Sequence, residues 1–188
     1  RSPSMQHNLD WIHDLNIEYD ASTFDTDPFE PQPDGVGTIF PFWVPSNNPS
    51  NPNNPSNFEP LSSNLQPLTS NLQPQTALAN GFVELPYTLP QDFTLFILMK
   101  ERNIDIWKKK LDWIAEKGGM ALINTHPDYM NFDGKNLSIE EYPAGFYKEF
   151  LQYVKSKYEG HLWSVLPKDI SRFWVKNVRS NRLERDCY

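Results

Sequence analysis

The chain has 188 residues, a formal charge of -7, an isoelectric point near 5.0 and a mean hydropathy of -0.62. That length suffices for one domain with a real core, and the acidic balance argues against non-specific nucleic acid binding. A lone cysteine, Cys187, excludes an internal disulfide and a zinc–thiolate site and suits a reducing, cytoplasmic setting. No apolar run approaches membrane-spanning length, the longest being Phe93 to Met99, so no transmembrane segment is expected.

The chain opens on Arg1-Ser-Pro3, which reads as the interior of a longer sequence. From Met5 to Leu15 apolar residues recur at helical spacing, with Ser4 placed to cap. Ile17 to Tyr19 reads as a short strand. Its end carries Asp20, Ser22, Thr23, Asp25 and Asp27, either a functional carboxylate cluster or a turn whose side chains bond their own backbone. Val36 to Val44 reads as a further strand, and Pro41 within it points to an edge or a bulge. Residues 45–80 change to Asn, Pro, Ser and Gln, with Ser-Asn-Leu-Gln-Pro repeated at 63–67 and 70–74. Such a segment buries too little apolar surface to offset its ordering entropy, so a mobile surface insertion is expected between parts 1–44 and 81–188. A proline-rich docking peptide is the sharper alternative.

Order returns at Phe82, and Asp92 stands where it can cap Phe93 to Met99. Asn103 or Asp105 can start a longer helix through Lys117, with Ile104, Trp107, Leu111 and Ile114 on one face and Lys108 to Lys110 near the other. Gly118-Gly119 ends it. Tyr142-Pro143 opens another helix with Phe146, Phe150, Tyr153 and Val154 as its apolar stripe. His161 to Val165 reads as a short strand, with His161 structural. A last helix covers Lys168 to Arg179, with Ile170, Phe173 and Trp174 inward, and the basic region Arg172 to Arg185 reads as a solvated tail. The alternation argues for a parallel α/β architecture with about half the strands of a barrel.

The stretch Met120-Ala-Leu-Ile-Asn-Thr-His126-Pro-Asp-Tyr129 carries the chemistry. A short apolar run between a glycine pair and a proline reads as a buried strand, and it delivers Asn124, Thr125, His126 and Asp128 at its end. In a parallel barrel that end is where reacting groups are placed. His126 is either such a group or a strand-end histidine bonded to a neighbouring loop. An acid role calls for a carboxylate neighbour, for which Asp128 and Asp20 are the candidates.

Arg1-Ser-Pro3, the Tyr19 to Asp27 stretch, Leu122 to His126, Glu84 to Asp92 and Trp113 to Gly119 together resemble the polysaccharide deacetylase (NodB-like carbohydrate esterase) family. The resemblance covers the chain outside 45–80. It implies the C-terminal portion of a distorted (β/α)7-type barrel of parallel strands with outer helices. It also implies catalytic roles for His126, as general acid, and for Arg1, as holder of an aspartate base. Asp20, Trp43 and Tyr129 are the substrate-binding candidates, the aromatics by stacking on sugar rings unless they are core. The implied reaction is metal-dependent hydrolysis of acetamide groups on a polysaccharide or oligosaccharide, with zinc the expected metal of the full domain.

The departures matter. The Tyr19 to Asp27 stretch lacks the family's usual Trp. The Thr-Phe-Asp-Asp and His-(Ser/Thr)-x-x-His motifs, which supply the base and the Asp-His-His metal site, do not occur. His7 and His13 do not replace them as a ligand pair. No metal ligand is therefore assigned in this chain, which is expected to be inactive and metal-free without a missing N-terminal half. Cut there, a barrel exposes a sheet edge and apolar faces, so pairing with that half or self-association is expected, with Trp11, Phe42, Leu122 and Ile123 near the seam. The alternative is a non-catalytic glycan-binding or interaction domain derived from the same fold.

Overall fold

A computed structural model describes residues 9, 12, 15, 17–30, 36–45, 81–134 and 137–179. Arg1, Trp11, most of the Met5 to Leu15 helix and the insertion at 46–80 lie outside them. The described architecture is mixed α/β: small sheets and a few helices.

Three short strands form the first sheet: β1 (Tyr19–Asp20), β2 (Phe42–Pro45) and β3 (Gly81–Glu84), in the order β1-β3-β2. β3 is central, parallel to β1 and antiparallel to β2. β2 thus occupies an edge, as Pro41 beside it requires, but it is shorter than the Val36 to Val44 run. Thr38 and Phe40 N–H instead donate to Asp25 Oδ2 and Thr38 Oγ1, which engages those backbone donors locally. Pro45 opposes Gly81 in register, so segment 46–80 leaves and returns at adjacent points. Gly81 has φ +151, and a Cβ there would lie 2.2 Å from the Val44 carbonyl oxygen. Only glycine fits that contact.

β3 runs on into the most deeply buried stretch, residues 82–90. This stretch organises its neighbours. Leu85 N–H donates to the Asp20 carbonyl at 2.8 Å and Tyr87 N–H to that of Thr23 at 2.8 Å. Thr88 and Leu89 N–H both reach the Leu122 carbonyl, at 3.1 and 3.2 Å. The Thr88 hydroxyl accepts from Leu122 N–H at 3.0 Å and donates to the Met120 carbonyl at 2.8 Å. Met120 to Ile123 is therefore extended but not the buried strand its composition suggests. Pro86 and Pro90 deprive the facing segment of ladder donors, and one threonine side chain takes over the pairing.

Asp92 then caps a π-helical turn, Phe93–Leu98, accepting from Phe93 N–H at 2.8 Å. Helix α1 (Asp105–Glu116) follows, with Asn103 Oδ1 accepting from Asp105 N–H at 2.9 Å. Trp107, Leu111 and Ile114 are buried along its expected face, with Ile104 just before it. Gly118, at φ +67, closes α1 in the left-handed conformation that glycine supplies without strain. A second, two-stranded parallel sheet joins β4 (Met130–Asn131) to β5 (Tyr142–Pro143), and β5 leads directly into α2 (Ala144–Tyr158). The main core gathers where the π-helical turn, α1, β5 and α2 meet. Phe96 lies 4.9 Å from Trp107, 4.7 Å from Tyr142 and 5.1 Å from Phe146 between ring centroids.

The C-terminal region departs from the sequence expectation. His161 to Ser164 are exposed and form no strand. Helix α3 covers Pro167–Trp174, and a π-helical turn, Val175–Arg179, follows it. Phe173 is half-exposed rather than inward, stacked edge-on against Trp163 at 5.0 Å. Arg172 is no free tail residue: its guanidinium grips both carboxylate oxygens of Glu18 at 3.0 Å, tying α3 to the approach of β1. No helix among the described residues is long and apolar enough to cross a membrane.

Candidate functional site

Pro127 restricts the residue before it to extended backbone, and His126 sits at φ -121, ψ 111. That geometry turns both its N–H and its ring toward Asp92. The buried carboxylate of Asp92 accepts four hydrogen bonds. Oδ1 takes Phe93 N–H at 2.8 Å and His126 Nδ1 at 2.7 Å. Oδ2 takes His126 N–H at 2.6 Å and the Tyr142 hydroxyl at 3.0 Å. Burial, and then the Asp92 charge, push the Tyr142 hydroxyl far above its ordinary value, so it stays a donor.

The His126 side chain is 34% exposed while Asp92 is fully buried. One face of the imidazole is thus held by an inaccessible carboxylate, and the rest reaches solvent. An imidazole so oriented can exchange protons with a bound molecule. The Tyr129 ring lies 5.3 Å from His126 and 5.3 Å from Phe93, forming an aromatic wall beside it.

Neither Asp128 nor Asp20 supplies the carboxylate for His126; Asp92 does. The sequence marks Asp92 as a helix cap, and it is one. Its second role is not legible there, because His126 is 34 residues away and only the fold brings the two together. Of the substrate-binding candidates, Tyr129 adjoins His126. Trp43 lies on the edge strand β2, opposite Val83, and Asp20 ends β1 opposite Glu84.

Asp20 belongs to a separate buried carboxyl pair. Glu84 Oε1 accepts from Ser22 N–H at 2.8 Å and from Thr23 N–H and hydroxyl at 2.9 Å each. Glu84 Oε2 and Asp20 Oδ2 are buried with no hydrogen-bond partner among the described residues. Burial raises the Glu84 carboxyl to about 7 from the usual 4.5, and the Asp20 charge adds to the rise against the three donors.

The sign of the resulting pH dependence is fixed. Below about pH 4.5 both folded and unfolded chains hold the Glu84 proton, and the contribution to stability is fully present. As pH rises through 7 the folded chain must give the proton up and the contribution is lost, on the order of 3 kcal/mol. Glu84→Gln keeps an oxygen for the three donors and offers an N–H to Asp20. We expect urea midpoints of the native chain to fall from about pH 5 to about pH 8 more steeply than those of Glu84→Gln. Parallel slopes would show that the Glu84 carboxyl is not raised by its burial.

Among the described residues no group of three His, Cys, Asp or Glu is placed to hold a metal ion. Comparison with family models, with curated proteins and with solved structures finds no match for this chain.

Proposed function

We propose that this chain is the C-terminal part of a metal-dependent polysaccharide N-deacetylase, in which His126 protonates the leaving amine. The observation that carries the reading is the Asp92–His126 pair: a buried carboxylate orienting a partly exposed imidazole. Asp92 fixes the ring's direction through Nδ1. Tyr129 offers its ring to the apolar face of a sugar, and Arg1 would orient an aspartate base.

In this reading the chain is the closing portion of a (β/α)7-type barrel, and segment 46–80 is an insertion between antiparallel neighbours. The base and the metal ligands belong to the missing half, whose sequence motifs this chain lacks. That lack also favours the second reading, a non-catalytic glycan-binding or interaction domain.

An acetate-release assay on N-acetylated oligosaccharides tests the assignment. The 188-residue chain alone, with zinc or cobalt added, should release none. A chain extended upstream through an Asp-Asp and a His-x-x-x-His motif should release acetate. Release by the isolated chain would overturn the division of roles, and an inert extended chain would favour the non-catalytic reading.

A further inference from the structure

Asp92 occupies one ring nitrogen of His126, and a chain of amides occupies the other. Asn124 Nδ2 lies 3.3 Å from His126 Nε2 and donates to Gln91 Oε1 at 3.1 Å. Gln91 Nε2 donates in turn to Glu30 Oε1, which also accepts the Thr94 hydroxyl at 2.9 Å. The direction of this chain follows from its end. An ionised carboxylate has no proton to give. Gln91 must therefore turn its NH2 to Glu30 and its carbonyl to Asn124. Asn124 then presents its NH2, not its oxygen, to His126.

We propose that Glu30, Gln91 and Asn124 are positioning residues forming a carboxylate-anchored relay that holds His126 Nε2 as a hydrogen-bond acceptor. Asp92 and the relay then fix the two ring nitrogens in different roles. The carboxylate holds Nδ1 as a donor. On the other side, a proton on Nε2 would face the Asn124 NH2, donor against donor. The Asn124 amide cannot turn over without setting its oxygen against the Gln91 carbonyl, and Gln91 cannot turn without setting its oxygen against Glu30. The relay thus holds Nε2 in the acceptor role, and a proton must arrive at Nε2 before the ring can give one away there. The consequence for turnover rests on the reading of His126 as the proton donor; the state of Nε2 does not, and it is measured without substrate. The ionisable groups facing the ring are Asp92, Tyr129 and, through the relay, Glu30, with Tyr142 reaching it through Asp92.

The test is a variant for which charge and relay make opposite predictions. Glu30→Gln removes a negative charge, which by simple electrostatics lowers the proton affinity of a nearby imidazole. In the relay, the carboxamide that this substitution introduces can donate as well as accept. Gln91 and Asn124 are then free to reverse, and Asn124 can accept from Nε2–H. The affinity of Nε2 for a proton then rises, by about threefold to tenfold for one hydrogen bond changed from opposing to supporting. Long-range 1H–15N spectra of the full labelled chain, followed across pH, read the Nε2 signal directly. Near-ultraviolet circular dichroism confirms that the fold is kept. An unchanged or lower affinity in Glu30→Gln overturns the relay. If that variant does not fold, Asn124→Ala replaces it: no charge changes, the opposing donor is removed, and a rise is again required.

Discussion

His126→Ala, in a chain extended by the complementary half that the proposed deacetylase reading calls for, is expected to lower turnover on the order of 10²–10⁴-fold. The motive is the geometry of the Asp92–His126 pair: the ring is aimed through Nδ1 at a buried carboxylate, 2.7 Å away, and is partly exposed. A group that only packed would not need both its backbone N–H and its ring bonded to one carboxylate. Single-turnover acetate release measures the chemical step, and the metal content of the same sample separates the two roles a histidine can take. Loss of activity with metal retained fits the acid. Loss of both together would make His126 a ligand and refute the assignment.

Asp92→Ala should be the most destabilising single change at this site, by about 2–4 kcal/mol, because it leaves donors of three residues, one of them the buried Tyr142 hydroxyl, without an acceptor. Phe93 N–H loses its cap, His126 loses bonds to its N–H and ring, and the Tyr142 hydroxyl is stranded within the aromatic core. His126→Ala removes one of the four bonds and leaves three donors still satisfying Asp92, so it should cost clearly less. Urea unfolding monitored by tryptophan fluorescence gives the comparison, provided the slope m is unchanged between variants. A loss below about 1 kcal/mol for Asp92→Ala would mean that the carboxylate does not join these elements. A loss of the expected size, from a typical total of about 5–15 kcal/mol, would itself be legible as poor expression at elevated temperature.

What the sequence determined by itself was local. The apolar spacing of Ile104, Trp107, Leu111 and Ile114 was enough to specify α1 and its buried face, because helical periodicity is a property of neighbours three and four apart. Asn103 before α1, Gly118 after it and Pro41 beside an edge strand likewise acted through backbone chemistry within a few residues. His126 stood out because Pro127 and the apolar run before it are adjacent in sequence. What tertiary structure decided was every pairing across distance. The Met120 to Ile123 run is extended but unladdered because Thr88, far back in the chain, takes its polar groups. Phe173 is half-exposed against Trp163 because the residue that α3 buries is Ser171, whose hydroxyl donates to the Glu18 carbonyl. Asp92 meets His126, and Glu84 meets Ser22 and Thr23, because burial leaves each carboxylate only the partners that the fold delivers. A charge in water can be satisfied anywhere, so its sequence neighbours say little about its partner; a buried one has few choices, and those are set by packing.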